Sequence, residues 1–442
     1  MAVILSNLSP LSYQQALMVA WASYTSFTLY SGSRGVVITD TMMFFLFSTI
    51  TVGAMIFIFA EHGGWVAALG KLTYLPEKPN LMTWFGMAGP GERWETPAQF
   101  LIWLIIISVA WSFVTAISPW QSGRYLMAKD EHVVLRAACI AGIAIPTIQT
   151  MVYAAAVTVN LSNPTIEPKE EALVWAALNI IPLFFGALVI AGLVAAALSS
   201  ATTFLSLIGF NVSNDIIQFW KTKAENKLRF SRQMMFTVSI IALVVCLSIE
   251  REIFWLTYFA GTMFTSAWGP VAFMSVWSKR ITASAAFWGI TTGFVGNALP
   301  KLLVTMGLIQ LPVYLDPVLI GAAISLAVVL IVSRFTEVTA KERDYRLSLL
   351  KTPSEEIDEC AARKTMRFGY AMIIFAIGKT AILLYFYVAP DFRALNPSGQ
   401  IAAKDWLSGE AWFAYSWLIL YLILGCLMLL GVRRSYSVFQ RE

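Results

Sequence analysis

Apolar residues along the 442-residue chain gather into eleven long runs separated by short polar or turn-forming stretches. The runs cover roughly 12–31, 36–60, 98–118, 137–160, 180–209, 233–249, 253–277, 282–307, 316–333, 368–388 and 411–432. A helix needs about 20 apolar residues to cross the hydrocarbon of a bilayer. Lipid offers the backbone no hydrogen-bond partner, so a spanning run must satisfy its own N–H and C=O groups. The runs are continuously apolar, without the alternation of a membrane β-barrel strand. The pattern therefore predicts an all-α polytopic membrane protein with about 11 transmembrane helices. Segments such as Pro76-Glu77-Lys78-Pro79 and Gly89-Pro90-Gly91-Glu92 read as the turns between them.

Composition supports this picture. Hydrophobic residues make up 58% of the chain and charged ones only 13%, against about 25% charged in soluble domains. Sixteen Trp and 15 Tyr suit a protein with two membrane–water interfaces. Of the 31 Lys and Arg, 22 fall in one set of alternate loops and 8 in the other, with Lys379 completing the total. That bias predicts a multi-pass protein of a plasma membrane or bacterial inner membrane, N-terminus outside and C-terminus cytoplasmic. The net charge of +5 follows the loops and gives no reason to expect nucleic acid as a partner. The charged stretch 335–366 reads as a cytoplasmic linker, and the chain as one transmembrane domain over 1–442.

Several chemistries lack residues. Two His (His62, His132) and four scattered Cys (Cys139, Cys246, Cys360, Cys426) give no metal or redox spacing. No phosphate-binding Gly-rich motif occurs, no run of Asp, Glu and His threads the spans, and no nucleophile-and-base pattern stands out. The N-terminus has no basic region or cleavage site of a signal peptide. An enzyme is not expected, nor a resident cofactor.

Polar residues within spans remain as clues. The fifth span holds Ala195-Ala196-Ala197-Leu198-Ser199-Ser200-Ala201-Thr202-Thr203, then Ser206, Asn211, Ser213, Asn214 and Asp215. Such hydroxyls either bond their own helix or a close neighbour, or build an oxygen cage for a hard cation such as sodium. The third span ends in Ser118-Pro119-Trp120-Gln121-Ser122-Gly123-Arg124, either a helix break that frees backbone groups for a ligand or an ordinary helix end. Trp120 and Gln121 are candidates for the substrate side. Gly269-Pro270 predicts a kink in the seventh span. Lys379, mid-span, either has a partner or snorkels from a peripheral helix. Asp40, at the start of the second span, reads as an interface residue or a helix N-cap.

At these residues the chain resembles the solute:sodium symporter family, which includes the sodium/proline and sodium/galactose symporters. Ala195 to Ile216 is similar to that family's core helix 8. Arg124-Tyr125-Leu126-Met127-Ala128-Lys129-Asp130 resembles its segment after core helix 6. Thr39-Asp40-Thr41 resembles the segment between core helices 4 and 5. Ala260-Gly261 through Gly269-Pro270 to Trp277-Ser278 resembles core helix 10. The order and spacing of the four agree, and the resemblance covers about 12–334.

The resemblance implies a five-plus-five inverted-repeat transporter fold working by alternating access. It implies sodium as the coupling ion, held by the Ala196 carbonyl and the Ser199 and Ser200 hydroxyls, with Thr202 and Thr203 as reserves. Asp40, Arg124, Gly269 and Pro270 fall at positions expected to serve gating or interfaces. It also implies that core helices 1 to 3 and the helix before them are absent, so that the chain is N-terminally incomplete, and that the spans at 368–388 and 411–432 are additions to the core. The expected function is sodium-coupled symport of a small organic solute. The rival readings are a transporter-like sensor or scaffold module and an inactive fragment.

Overall fold

The need to satisfy backbone groups within apolar runs makes helices, and among the described residues the chain forms helices and no strand. The structure is a computed structural model. It describes all residues except 87, 91, 92, 168, 213, 214, 216–223, 249–252, 350–356, 397 and 436–442, and all their side chains except those of 31–37, 224–228, 253 and 435. In chain order the α-helices are α1 (Ala2–Leu8), α2 (Tyr13–Glu61), α3 (Trp65–Thr73), α4 (Pro97–Ile117), α5 (Pro119–Leu126), α6 (Glu131–Thr158), α7 (Ala172–Asn179) and α8 (Leu183–Asn211). They continue as α9 (Ala224–Ser248), α10 (Ile253–Trp277), α11 (Ala283–Thr305), α12 (Pro317–Phe335), α13 (Ala340–Leu349), α14 (Glu359–Leu383), α15 (Ala389–Leu395) and α16 (Gly409–Ser435).

Local chemistry explains many ends. Ser12 and Gln15 cap α2 reciprocally, each side chain accepting from the other's backbone N–H. Thr96 caps α4 ahead of Pro97, and the Asp316 carboxylate accepts from Val318 N–H (3.0 Å) ahead of Pro317 in α12.

Among the described residues, eight helical stretches are long and apolar enough to cross a bilayer: Ile38–Glu61, Pro97–Leu126, Glu131–Leu161, Leu183–Asn211, Arg229–Ser248, Pro317–Phe335, Glu359–Leu395 and Gly409–Arg434. The other three expected spans, 12–31, 253–277 and 282–307, are helical but fall outside this group. In α10 and α11 the reason lies in embedded Thr, Ser, Gly and Asn, as at Thr265-Ser266 and Thr291-Thr292. The apolar pattern predicts a break between 31 and 36, whereas the structure continues one 49-residue helix through it. No proline lies there to interrupt the ladder. At 1.5 Å per residue α2 is about 74 Å long, more than twice a bilayer's hydrocarbon thickness.

The chain forms two compact units. The first comprises Met1–Gly86, His132–Glu250 and Ala361–Arg434. Within it α8 runs antiparallel to the second half of α2. Ala54 and Ile58 pack with Val189 and Ile190, and Gly192 lies against Phe47 and Ile50. The first half of α2 meets α9, where Trp21 donates to the Ser239 carbonyl (3.1 Å). Cys139, Met372, Ala376 and Tyr421 form a second core joining α6, α14 and α16.

The second unit comprises Met87–Glu131, Arg251–Cys360 and Ser435–Glu442. Here α10, α11 and α12 cross at small residues. Pro270 has no N–H, so the Ser266 carbonyl one turn earlier loses its helical donor. Gly293 of α11 lies directly against that carbonyl, and Gly321 of α12 lies against Gly293. Asn297, 1% exposed, donates to Ser266 Oγ (3.1 Å) and gives the crossing its polar tie.

Candidate functional site

Asp40 sits well inside α2, far from either end, so helix N-capping does not account for it. Its carboxylate instead faces α8. Ser199 Oγ donates to Asp40 Oδ1 (2.6 Å) and Thr203 Oγ1 donates to Oδ2 (3.2 Å). Ser199 and Thr203 are four residues apart, the spacing that places two side chains on one helix face. Small residues on the facing helices, Gly192 and Ala195 among them, let α2 and α8 approach closely enough for the three groups to meet. All three residues belong to the first unit.

The neighbouring hydroxyls turn elsewhere. Ser200 is exposed and donates to the Ala196 carbonyl (3.2 Å) of its own helix. Thr202, buried, donates to the Ser199 carbonyl (3.0 Å), and Ser206 to the Thr203 carbonyl (3.0 Å). Of the residues first expected around a cation, Ser199 thus meets Asp40 together with Thr203, while Ala196 and Ser200 bond each other. The i, i+4 spacing in the sequence was the signal that pairs Ser199 with Thr203 rather than with Ser200. Ser213, Asn214 and Ile216, at the polar end of this span, lie outside the described residues.

A carboxylate with two hydroxyls is a hard-oxygen donor set. Oxygen ligands suit hard cations. Each hydroxyl has two acceptor lone pairs besides its proton, so rotation about Cβ–Oγ turns a donor toward Asp40 into a ligand for an ion. An ionised carboxylate within a membrane span is costly unless hydrogen-bonded or paired with a cation. Among the described residues no group of three or more His, Cys, Asp or Glu could hold a metal ion.

The helix break after the third span is real. α4 ends at Ile117, Ser118 is extended (φ −63°, ψ 144°), and Pro119 starts α5. Trp120 packs edge-to-face on Phe264 (5.7 Å between centroids), and Gln121 Nε2 donates to Tyr125 Oη (3.2 Å). Arg124 lies in the last turn of α5, where its carbonyl accepts from Met127 N–H. Trp120, Gln121, Arg124, Gly269 and Pro270 all belong to the second unit. Gly269 faces Phe113, and both Gly269 and Pro270 line an almost wholly apolar cavity of about 340 Å³ with Ile106, Val318 and Leu326.

Lys379 is 7% exposed and does not snorkel. Its ammonium lies 3.5 Å from the Trp417 ring centroid and donates to the Pro146 carbonyl (3.4 Å) and Thr150 Oγ1 (3.5 Å). Pro146 also strips the Gly142 carbonyl of its helical donor, and Tyr421 Oη bonds that carbonyl instead. Among the described residues no carboxylate pairs with Lys379.

The model of the sodium:solute symporter family matches residues 1–293, from α1 into α11, a stretch that contains Asp40, Ser199 and Thr203. Among solved structures, the substrate-bound outward-open state of a Na+-coupled sialic acid symporter, described as revealing a novel Na+ site, superposes with a TM-score of 0.56. The two share 18% identity, over 76% of this chain and 69% of that one, which is a likeness of fold. No curated protein matches the sequence.

Proposed function

The chain belongs to the sodium:solute symporter family, and we propose on that premise that it carries a small organic solute across a membrane with sodium by alternating access. Asp40, Ser199 and Thr203 hold the coupling ion. The observation that supports this is the Asp40 carboxylate bracketed by the two hydroxyls of α8.

In this reading the hydroxyls hold the carboxylate in place when no ion is bound. An arriving sodium ion exchanges its water for the carboxylate oxygens and the hydroxyl lone pairs. The hydroxyl protons then turn toward carbonyls one turn back along α8, where Ser and Thr commonly bond. The ion neutralises Asp40 and draws α2 and α8 together, and the membrane sodium gradient biases which side the site faces. Trp120 and Gln121, at the break between α4 and α5, are proposed for the solute. The five-plus-five repeat is the framework in which these motions belong.

The test is uptake by sealed membrane vesicles containing the protein, offered mixed amino acids, sugars and organic acids. Accumulation of at least one solute under an inward sodium gradient, absent with potassium and abolished by Asp40→Asn, is expected. Accumulation independent of sodium would contradict the proposal.

A further inference from the structure

We propose that the groove between the first half of α2 and the start of α9 binds an anionic phospholipid, with its phosphate on Arg229 and Arg232. Two stripes face each other there. On α2 they are Ser26, Leu29 and Tyr30, and on α9 Arg229, Arg232, Gln233 and Phe236. The α9 positions follow i, i+3, i+4 and i+7, one face of a helix. Between them lies a groove of about 550 Å³, within the first unit.

The occupant follows from the chemistry along the groove. At one end stand two exposed guanidinium groups, and neither makes a hydrogen bond or ion pair with a described residue. They are one turn apart and share a face. A pair of planar forks presents parallel N–H donors suited to a phosphate diester. Gln233 adds an amide that reaches the same end. Beyond the arginines the lining becomes apolar, with Leu29 and the half-exposed ring of Phe236. Further along the same helix pair Trp21 packs on Phe236 (6.2 Å between centroids) and donates to the Ser239 carbonyl. Tyr30 is 90% exposed at the rim. An aromatic ring with a hydroxyl is stable at headgroup depth and poorly placed in water.

Depth selects a lipid over a free anion or a soluble partner. Arg229 and Arg232 directly precede the apolar run at 233–249, the place along the chain where hydrocarbon gives way to headgroups. Basic pockets between spans at that depth recognise anionic headgroups. A phosphate held there places its acyl chains along Leu29 and Phe236 without further rearrangement. Inorganic phosphate uses only half of the groove.

The test uses the full chain in detergent, titrated with short-chain phosphatidylglycerol or phosphatidylcholine and read by native mass spectrometry. Phosphatidylglycerol is expected to bind about 30-fold more tightly, each arginine near the surface being worth roughly fivefold. In Arg229→Gln/Arg232→Gln the preference falls below about threefold, while Arg280→Gln keeps it. Gln233→Glu, which adds a repelling charge without removing either arginine, lowers it as well and tests the site should the double variant not fold. Equal binding of the two lipids, or a preference that survives both groove variants, overturns the proposal. Full competition by inorganic phosphate overturns it too, because it would mark an anion site without a lipid.

Discussion

Ser199 and Asp40 are 159 residues apart in the chain, and the Ser199 hydroxyl donates to Asp40 Oδ1 across 2.6 Å. The contact ties α2 to α8 where the Asp40 carboxylate meets the hydroxyl-rich face.

Ser199 and its neighbour Ser200 are expected to behave differently in sodium binding. Ser199→Ala removes a ligand and a charge-assisted bond, and is expected to weaken sodium binding about tenfold, equivalent to ~1.4 kcal/mol. Ser200 bonds its own helix backbone, so Ser200→Ala is expected to change the affinity by less than about twofold. Isothermal titration with sodium chloride, corrected by choline chloride, makes the comparison.

Removing the cation and removing its partner should have unequal effects at Lys379. Lys379→Met keeps the volume and deletes a desolvated charge, and is expected to shift stability by no more than about 1 kcal/mol. Trp417→Leu leaves the ammonium without its aromatic face and is expected to cost at least ~2 kcal/mol. Thermal unfolding in detergent reads both, and equal losses would show that Trp417 acts only by its bulk.

The crossing of α10, α11 and α12 depends on Gly293. A Cβ there meets the Ser266 carbonyl and comes within 2.8 Å of Ser325 Cβ and 3.0 Å of Ala267 Cα, mostly backbone or atoms close to it. Such neighbours cannot swing aside, so Gly293→Ala is expected to destabilise the protein by about 2 kcal/mol or more. Gly53→Ala on α2 meets nothing within 4 Å and is expected to fall within about 0.5 kcal/mol of the parent.

The segment after α12 is more than a solvated linker. Glu342 of α13 accepts from the backbone N–H of Ala283 at the start of α11 (2.9 Å), and Arg346 donates to the carbonyls of Ser278 and Val276 (3.1 Å) at the end of α10. Each charge sits at the helix end whose dipole it complements. The backbone N–H groups of Thr339 and Ala283, with the Thr339 hydroxyl, hold the Glu342 carboxyl below the ordinary value. A lowered folded pKa contributes stability above the unfolded value, about 4.3, and loses it as pH falls through the folded value. The Ala283 amide is therefore expected to be protected from hydrogen exchange at neutral pH and to open in acid. In Glu342→Gln its protection should be reduced at neutral pH and change little with acid.

Much of the fold could be read from apolar run length, because the bilayer leaves helices as the only way to satisfy the backbone. Pro119 announced the break between α4 and α5, and Pro270 the freed carbonyl at Ser266, because a missing N–H is a local property of the sequence. Pairings were less legible. Helices apolar on every side carry little information about which face meets which neighbour, so Asp40 is as readable as an interface or capping residue as it is as a partner of α8. Arg346 and Glu342 were hidden for a similar reason: a charged stretch between spans looks the same whether solvated or bonded to helix ends. The continuity of α2 through 31–37 also escaped the reading, since a polar, glycine-bearing stretch between two apolar runs is as compatible with a loop as with a helix.

The central claim is that Asp40 carries the charge of the cation site. Equilibrium binding of radiolabelled sodium to the purified chain, for the parent and for Asp40→Asn, tests it most directly. Asparagine keeps the shape and its oxygen but not the charge. Saturable binding to the parent that potassium does not displace is expected, with at least about a hundredfold weaker binding to the variant, ~2.7 kcal/mol, and a nearly unchanged thermal unfolding midpoint. Sodium binding of equal affinity in Asp40→Asn would contradict it.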